Sequence, residues 1–232
     1  MNQAQPQGDA LALSTEELNT LDKETLPLTP VVLTEKSRSK EIAAACAALR
    51  RRAVVGFDTE TKPAFRKGLH HPVALLQLAT DEIVVLVRLV RIRDFEAPKW
   101  QPLRRLLASA KVLKVGVGIH DDGVGLFNDY RLVTNQTLDL RSLAQADGME
   151  VLSLTKIYAL LFGRRLSKGQ RLSDWERPEL TKPQIQYAGL DAQAGYRIHD
   201  PLKELATPAM VTRKLFPNGQ QPRKTDKHHP KK

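Results

Sequence analysis

Three groups of side chains in this chain have types and spacings that could hold a divalent cation or position a proton. Asp58, Thr59 and Glu60 are consecutive at the end of a short apolar run. In extended chain, residues i and i+2 point to the same side, so the two carboxylates converge. Unpaired, they repel each other and cost several kcal/mol to desolvate. A hard divalent ion, which prefers oxygen ligands, resolves both problems. Asp121 and Asp122 form the second group, where Lys114-Val-Gly-Val-Gly-Ile-His120 reads as a strand turning into a helix. Tyr187 and Asp191 form the third, four residues apart and so on one helix face. That stripe continues through Ala194 and Ile198, which makes it core-facing, and an acid there needs a partner. Taken singly, each group also fits a structural role: solvated acids at a strand end, an acid complementing a helix dipole, a tyrosine bonded to an aspartate.

Two other chemistries are tested by the same residues and fail. Gly116-Val-Gly118 begins a dinucleotide-binding fingerprint, but the third glycine would fall at position 121, which is Asp. His70 and His71 are adjacent, and neighbouring side chains in extended chain point apart, so they make a poor zinc pair. Their loop, residues 62–71, also carries Lys62, Arg66 and Lys67. It is expected to meet a nucleic-acid backbone, with Lys67 a named contact.

The elements that must position these groups read as an α/β domain. Residues 40–52 are alanine-rich and helical, with Ser39 as the expected N-cap. Strands are expected at 53–57, 73–79, 83–90, 111–117 and 137–140. Only Thr80, Asp81 and Glu82 separate the second from the third, which predicts an antiparallel hairpin. Helices are expected at 98–110, 118–130 and 152–162, the last closed by Gly163. Thr181 and Gln184 fit a capping box, starting a helix that runs to about Pro201. The sum is a mixed five-stranded sheet, its first three strands antiparallel, with helices on both faces.

Length, charge and cysteine count bound the class. The chain has 232 residues, 36 Lys+Arg, 26 Asp+Glu and a net charge of +10. That is enough chain for one medium domain with tails, and the basic balance favours a polyanionic partner. Cys46 is the only cysteine, which excludes a disulfide scaffold and predicts a reducing, cytoplasmic setting. No apolar run approaches the ~20 residues of a membrane span. Residues 1–30 hold five acids and one base and are expected to be a flexible acidic lead-in. The chain beyond residue 205 ends in 213–232, with seven bases, one acid and three prolines, and is expected to be a disordered basic tail.

Together the three groups resemble one family. Phe57-Asp-Thr-Glu-Thr61, Val115-Gly-Val-Gly-Ile-His-Asp-Asp122 and Tyr187-Ala-Gly-Leu-Asp191-Ala look like the three motifs of the DEDD superfamily of 3′→5′ exonucleases. The tyrosine marks the DEDDy branch, since the position where the His branch has its histidine is Gln186 here. The branch members most similar are the Werner-syndrome-type exonuclease domain and ribonuclease D. Leu75-Leu-Gln-Leu-Ala79 and Lys168-Gly-Gln-Arg-Leu-Ser-Asp-Trp175 also resemble family segments, and the likeness covers residues 31–205.

The resemblance implies a ribonuclease H-like fold and a two-metal hydrolysis that releases nucleoside 5′-monophosphates, with Mg2+ or Mn2+. By that analogy Asp58, Glu60 and Asp191 hold one ion and Asp58 with Asp122 the other, while Tyr187 orients the attacking water. The motif alignment selects Asp122, and a register slip of one residue would select Asp121 instead. Asp139 falls outside the motif and reads as structural. Thr59, Lys168 and Arg171 are the further candidates for contact with nucleic acid, and Trp175 reads as packing. The expected partner is a DNA or RNA 3′ end, with no membrane and no protein partner, handled by a stand-alone exonuclease domain. The competing readings are a catalytically silent nucleic-acid-binding module on the same fold and a metal-dependent phosphatase or cyclic-nucleotide hydrolase.

Overall fold

The structure is a computed structural model that describes residues 13–66, 68–146, 149 and 153–204. Lys67 and the basic tail lie outside the described residues. In chain order the elements are α1 (Thr15–Thr20), β1 (Val31–Leu33), α2 (Ser39–Leu49), β2 (Val54–Thr61), β3 (Val73–Ala79) and β4 (Val84–Val87), then α3 (Gln101–Leu107), β5 (Leu113–Gly116), α4 (Ile119–Tyr130), β6 (Thr137–Asp139), α5 (Leu140–Ala146), α6 (Leu154–Phe162) and α7 (Lys182–Glu204). Short 3-10 turns at Leu89–Arg91 and Pro98–Trp100 complete the set.

The strands form one sheet in the order β1-β4-β3-β2-β5-β6. β3 runs antiparallel to both of its neighbours, β2 and β4, while β5 runs parallel to β2, β6 to β5, and β1 to β4. The sheet therefore has six strands, one more than expected. The additional strand is β1, three residues whose outer two, Val31 and Val32, remain 37% exposed. So short a run carries no period, and it becomes a strand only because β4 offers it a free edge.

β3 is buried along its whole length, as a strand covered on both faces should be. One face carries α1, α5, α6 and α7, packed through Leu18, Tyr158, Ala188, Ala192 and Ile198. The other carries α2, α3 and the apolar side of α4, packed through Ile42, Leu49, Trp100, Leu103 and Leu126.

Three local expectations change. The N-cap of α2 is Arg38 rather than Ser39, and the Glu41 carboxylate accepts the Arg38 N–H at 3.0 Å. The third expected strand stops at Val87, because Arg88 turns inward and donates its guanidinium to the Arg177 carbonyl at 2.7 Å. The lead-in expected to be flexible is packed from Leu13 on. A reciprocal Ser14–Glu17 box starts α1, Leu13, Leu18 and Leu26 are buried, and Glu24 accepts the Tyr158 hydroxyl at 2.7 Å. The capping box at the start of α7 forms as read: Gln184 N–H donates to Thr181 Oγ1 at 3.3 Å and Thr181 N–H to Gln184 Oε1 at 3.0 Å. Among the described residues no helix is long and apolar enough to cross a membrane.

Candidate active site

Alternation along β2 sorts its side chains by purpose. Val55 and Phe57 belong to the core beneath α2 and α3. Gly56, Asp58 and Glu60 take the opposite face, which α7 crosses. Gly56 makes that crossing close: a Cβ there would lie 1.9 Å from the Ala192 carbonyl oxygen. With no side chain between them, α7 settles onto the strand and brings Asp191 down beside Asp58. One carboxylate oxygen from each of Asp58, Glu60 and Asp191 lies within 4.8 Å of the others.

Asp122 comes from the other side of the sheet. Gly118, with φ of 80°, allows the turn from β5 into α4, and its N–H donates to Asp139 Oδ2 at 3.2 Å. Arg141 grips the same carboxylate at 2.6 Å, so Asp139 braces the turn that aims Asp122. Thr59 points away from Asp58 along β2 and donates its hydroxyl to Asp122 Oδ1 at 2.5 Å. The Thr59 hydroxyl proton is thus engaged within the protein. Asp121 is exposed on the outer side of α4, whereas Asp122 is half-buried beside Thr59.

Burial and crowding make these acids reluctant to ionise. Burial first, then Asp191, Asp122 and Glu60, push Asp58 well above the usual carboxylate range, while the Thr59 N–H opposes them. Burial, with Asp191 and Asp122, pushes Glu60 up to about 9, and Arg171 opposes. Asp191 rises to about 7 through burial, which the Tyr187 hydroxyl partly offsets. Asp122 rises to about 6, again through burial. A carboxylate cluster that pays this penalty without cations suits hard divalent ions, which would neutralise it through oxygen ligands alone.

The carboxylates open into a cleft of about 280 Å³ lined by Asp58, Tyr187 and Asp191 together with Lys168 and Arg171. Tyr187 is held against Trp175, ring centroids 6.0 Å apart, and Trp175 is fully buried as packing. Burial, then Asp191 and Glu60, raise the Tyr187 hydroxyl far above its ordinary value, so it stays protonated. The start of α6, Ser153 to Thr155, forms another wall. Nothing local in the sequence marked that wall, because it joins the site only through the fold.

Three of the basic or histidine side chains in the loop 62–71 have acid partners within the protein. Lys62 pairs with Asp174 at 3.3 Å and Glu176 at 3.6 Å, His71 with Glu176 at 2.9 Å, and His70 with Asp129 at 3.2 Å. These three are spent tying the loop to its neighbours, chiefly the segment before α7. The two tethered segments also expose apolar side chains, Phe65 at 82% and Leu172 at 62%, beside the exposed Arg66 and Arg171. Sequence reading weighed the charges there and passed over both apolar side chains.

With this geometry in view, the comparisons with known proteins are consistent. A family model described as a 3′-5′ exonuclease matches residues 34–206. A 3′-5′ exonuclease of Arabidopsis thaliana is 35% identical over 158 residues, 66% of this chain and 54% of that protein. The mouse bifunctional 3′-5′ exonuclease/ATP-dependent helicase WRN is 32% identical over 163 residues, 68% of this chain and 11% of that protein. The chain thus spans about half the length of the first relative and about a tenth of the second. Among solved structures, the Nibbler EXO domain of Aedes aegypti superposes with a TM-score of 0.67 at 25% identity, covering 83% of this chain and 99% of that one. Escherichia coli RNase D has the same fold, with a TM-score of 0.66 at 22% identity over 77% of this chain and 45% of that one. The chain belongs to the DEDD-type 3′-5′ exonuclease family.

Proposed function

We propose that this protein hydrolyses nucleic acid from the 3′ end and releases nucleoside 5′-monophosphates, using two divalent cations, Mg2+ or Mn2+. The observation that carries this is the convergence of Asp58, Glu60 and Asp191, with Asp122 close enough to raise the first two, at a cleft that Lys168 and Arg171 also line. Asp58, Glu60 and Asp191 would hold one cation, and Asp58 with Asp122 the other. Bound there, divalent cations supply charge neutralisation at the scissile phosphate and acidify a coordinated water.

The chain's own residues supply the remainder. Lys168 and Arg171 bring positive charge to the cleft and draw the terminal phosphodiester in. Tyr187 keeps its proton and accepts or donates one hydrogen bond to orient the attacking water. The water oxygen bonds to phosphorus, the bond from phosphorus to the 3′ oxygen breaks, and the shortened strand keeps a free 3′ hydroxyl. Thr59 fixes Asp122, and Trp175 fixes the ring of Tyr187.

The cost of the cluster favours an enzyme over a silent binding module. Four crowded acids weaken a fold that has no use for them, and grip on a polyanion would be better served by bases. The test is a gel assay on 5′-labelled single-stranded DNA, RNA and 3′-recessed duplex, with Mg2+, Mn2+ or chelator, beside Asp58→Ala. A metal-dependent ladder shortening from the 3′ end and absent in the variant is the expected result. Binding without any ladder would establish the silent module.

A further inference from the structure

The central strand β3 carries a polar residue that the reading above leaves unused. Gln77 sits in β3 among Leu75, Leu76, Leu78 and Ala79, with no exposed surface. Neither its Oε1 nor its Nε2 has a hydrogen-bond partner among the described residues. A buried carboxamide without partners opposes folding, so folded proteins keep few of them without a reason. Leucine would fill the same strand position without that cost.

Its placement supplies the reason. The β2–β3 register sets Gln77 directly opposite Asp58. Directly opposed residues of an antiparallel pair share a face, with Cβ atoms about 4.5–5.5 Å apart. Leu76 and Leu78 pack into the core beneath α2 and α3, so Gln77 takes the α7 face, as Asp58 does. Asp58 in turn receives a single hydrogen bond among the described residues, from the Thr59 N–H to Oδ1 at 2.9 Å. A donor without an acceptor thus lies across the ladder from a carboxylate with lone pairs to spare.

We propose that Gln77 is a positioning residue for cation binding, its Nε2–H donating to the Asp58 carboxylate that holds the divalent ion. The inference rests on the metal-dependent reading of the site. Groups that orient a metal's ligands typically contribute about 10–100-fold to its affinity.

The test is calorimetric titration of Mn2+ into wild type, Asp58→Ala, Gln77→Met and Gln77→Leu, with melting of each metal-free protein. Both Gln77 variants should melt no lower than wild type, because no protein hydrogen bond is lost, yet bind Mn2+ about 10–100-fold more weakly. An unchanged Mn2+ affinity in either folded variant would overturn the proposal, as would a large fall in melting temperature without a change in affinity. In wild type, the Gln77 side-chain amide resonances should shift when Mg2+ is added, and their staying still would overturn it independently of any variant. Failure of the metal site itself has a separate signature, equal Mn2+ binding by wild type and Asp58→Ala.

Discussion

The two faces of β2 put alternate residues to opposite use. On one face Val55 and Phe57 are buried in an apolar core with Trp100, Leu103 and Leu106, and every contact there favours folding. On the other, Gly56 lets α7 close in while Asp58 and Glu60 crowd against Asp191. That face holds buried acids that repel one another and an amide without a partner, all of which oppose folding. Up to Asp58 the strand therefore separates stability from chemistry by parity of residue number, and Thr59 then links the two by holding Asp122.

Substitutions on the two faces should separate the two properties. Asp58→Ala should lower turnover by about 1,000-fold or more, since several kcal/mol of charge stabilisation are lost. The same change should leave the metal-free melting temperature equal or higher, and a clear drop would break the contrast. On the apolar face, Phe57→Ala should destabilise by about 3–5 kcal/mol in urea unfolding. Activity per folded molecule should stay within a few-fold at low temperature, and a loss comparable to that of Asp58→Ala would show that the faces are not independent.

The pH dependence sharpens the comparison further. Asp191 is raised to about 7 and Glu60 to about 9, so between the ordinary carboxylate range and pH 9 the folded, metal-free chain binds more protons than the unfolded chain. Its stability should therefore fall as pH rises through that window. Cations bind the ionised ligands, so saturating Mg2+ should remove the loss. The gap between melting temperatures with and without Mg2+ should widen from pH 6 to pH 9, and a constant gap would count against the cluster as the cation site. The smallest effect belongs to the bond between the faces. Thr59→Val keeps the shape but removes the hydroxyl on Asp122, and should lower turnover by roughly 10-fold with little change in folding.

Much of the site was legible because its pieces are local. Period-two alternation pairs Asp58 with Glu60, and helical spacing pairs Tyr187 with Asp191. Thr181 and Gln184 announce the start of α7, and Gly163, with φ of 65°, closes α6. Charge was a weaker guide. Lys62, His70 and His71 looked available for phosphate, yet each has an acid partner more than fifty residues away in sequence. Composition also suggested that residues 13–30 stood apart, whereas buried leucines and Glu24 join them to α6 and α7.

The sequence by itself determined which residues share a strand side or a helix face, because backbone geometry sets those periods over a few residues. Tertiary structure alone decided that the β2 pair and the α7 pair meet, through a strand glycine whose Cβ would collide with a helix carbonyl. It also decided that Thr59 bonds to Asp122, that β1 joins the β4 edge, and that Gln77 lies across from Asp58. Each is a contact between distant segments, and its energy appears only after the chain has packed.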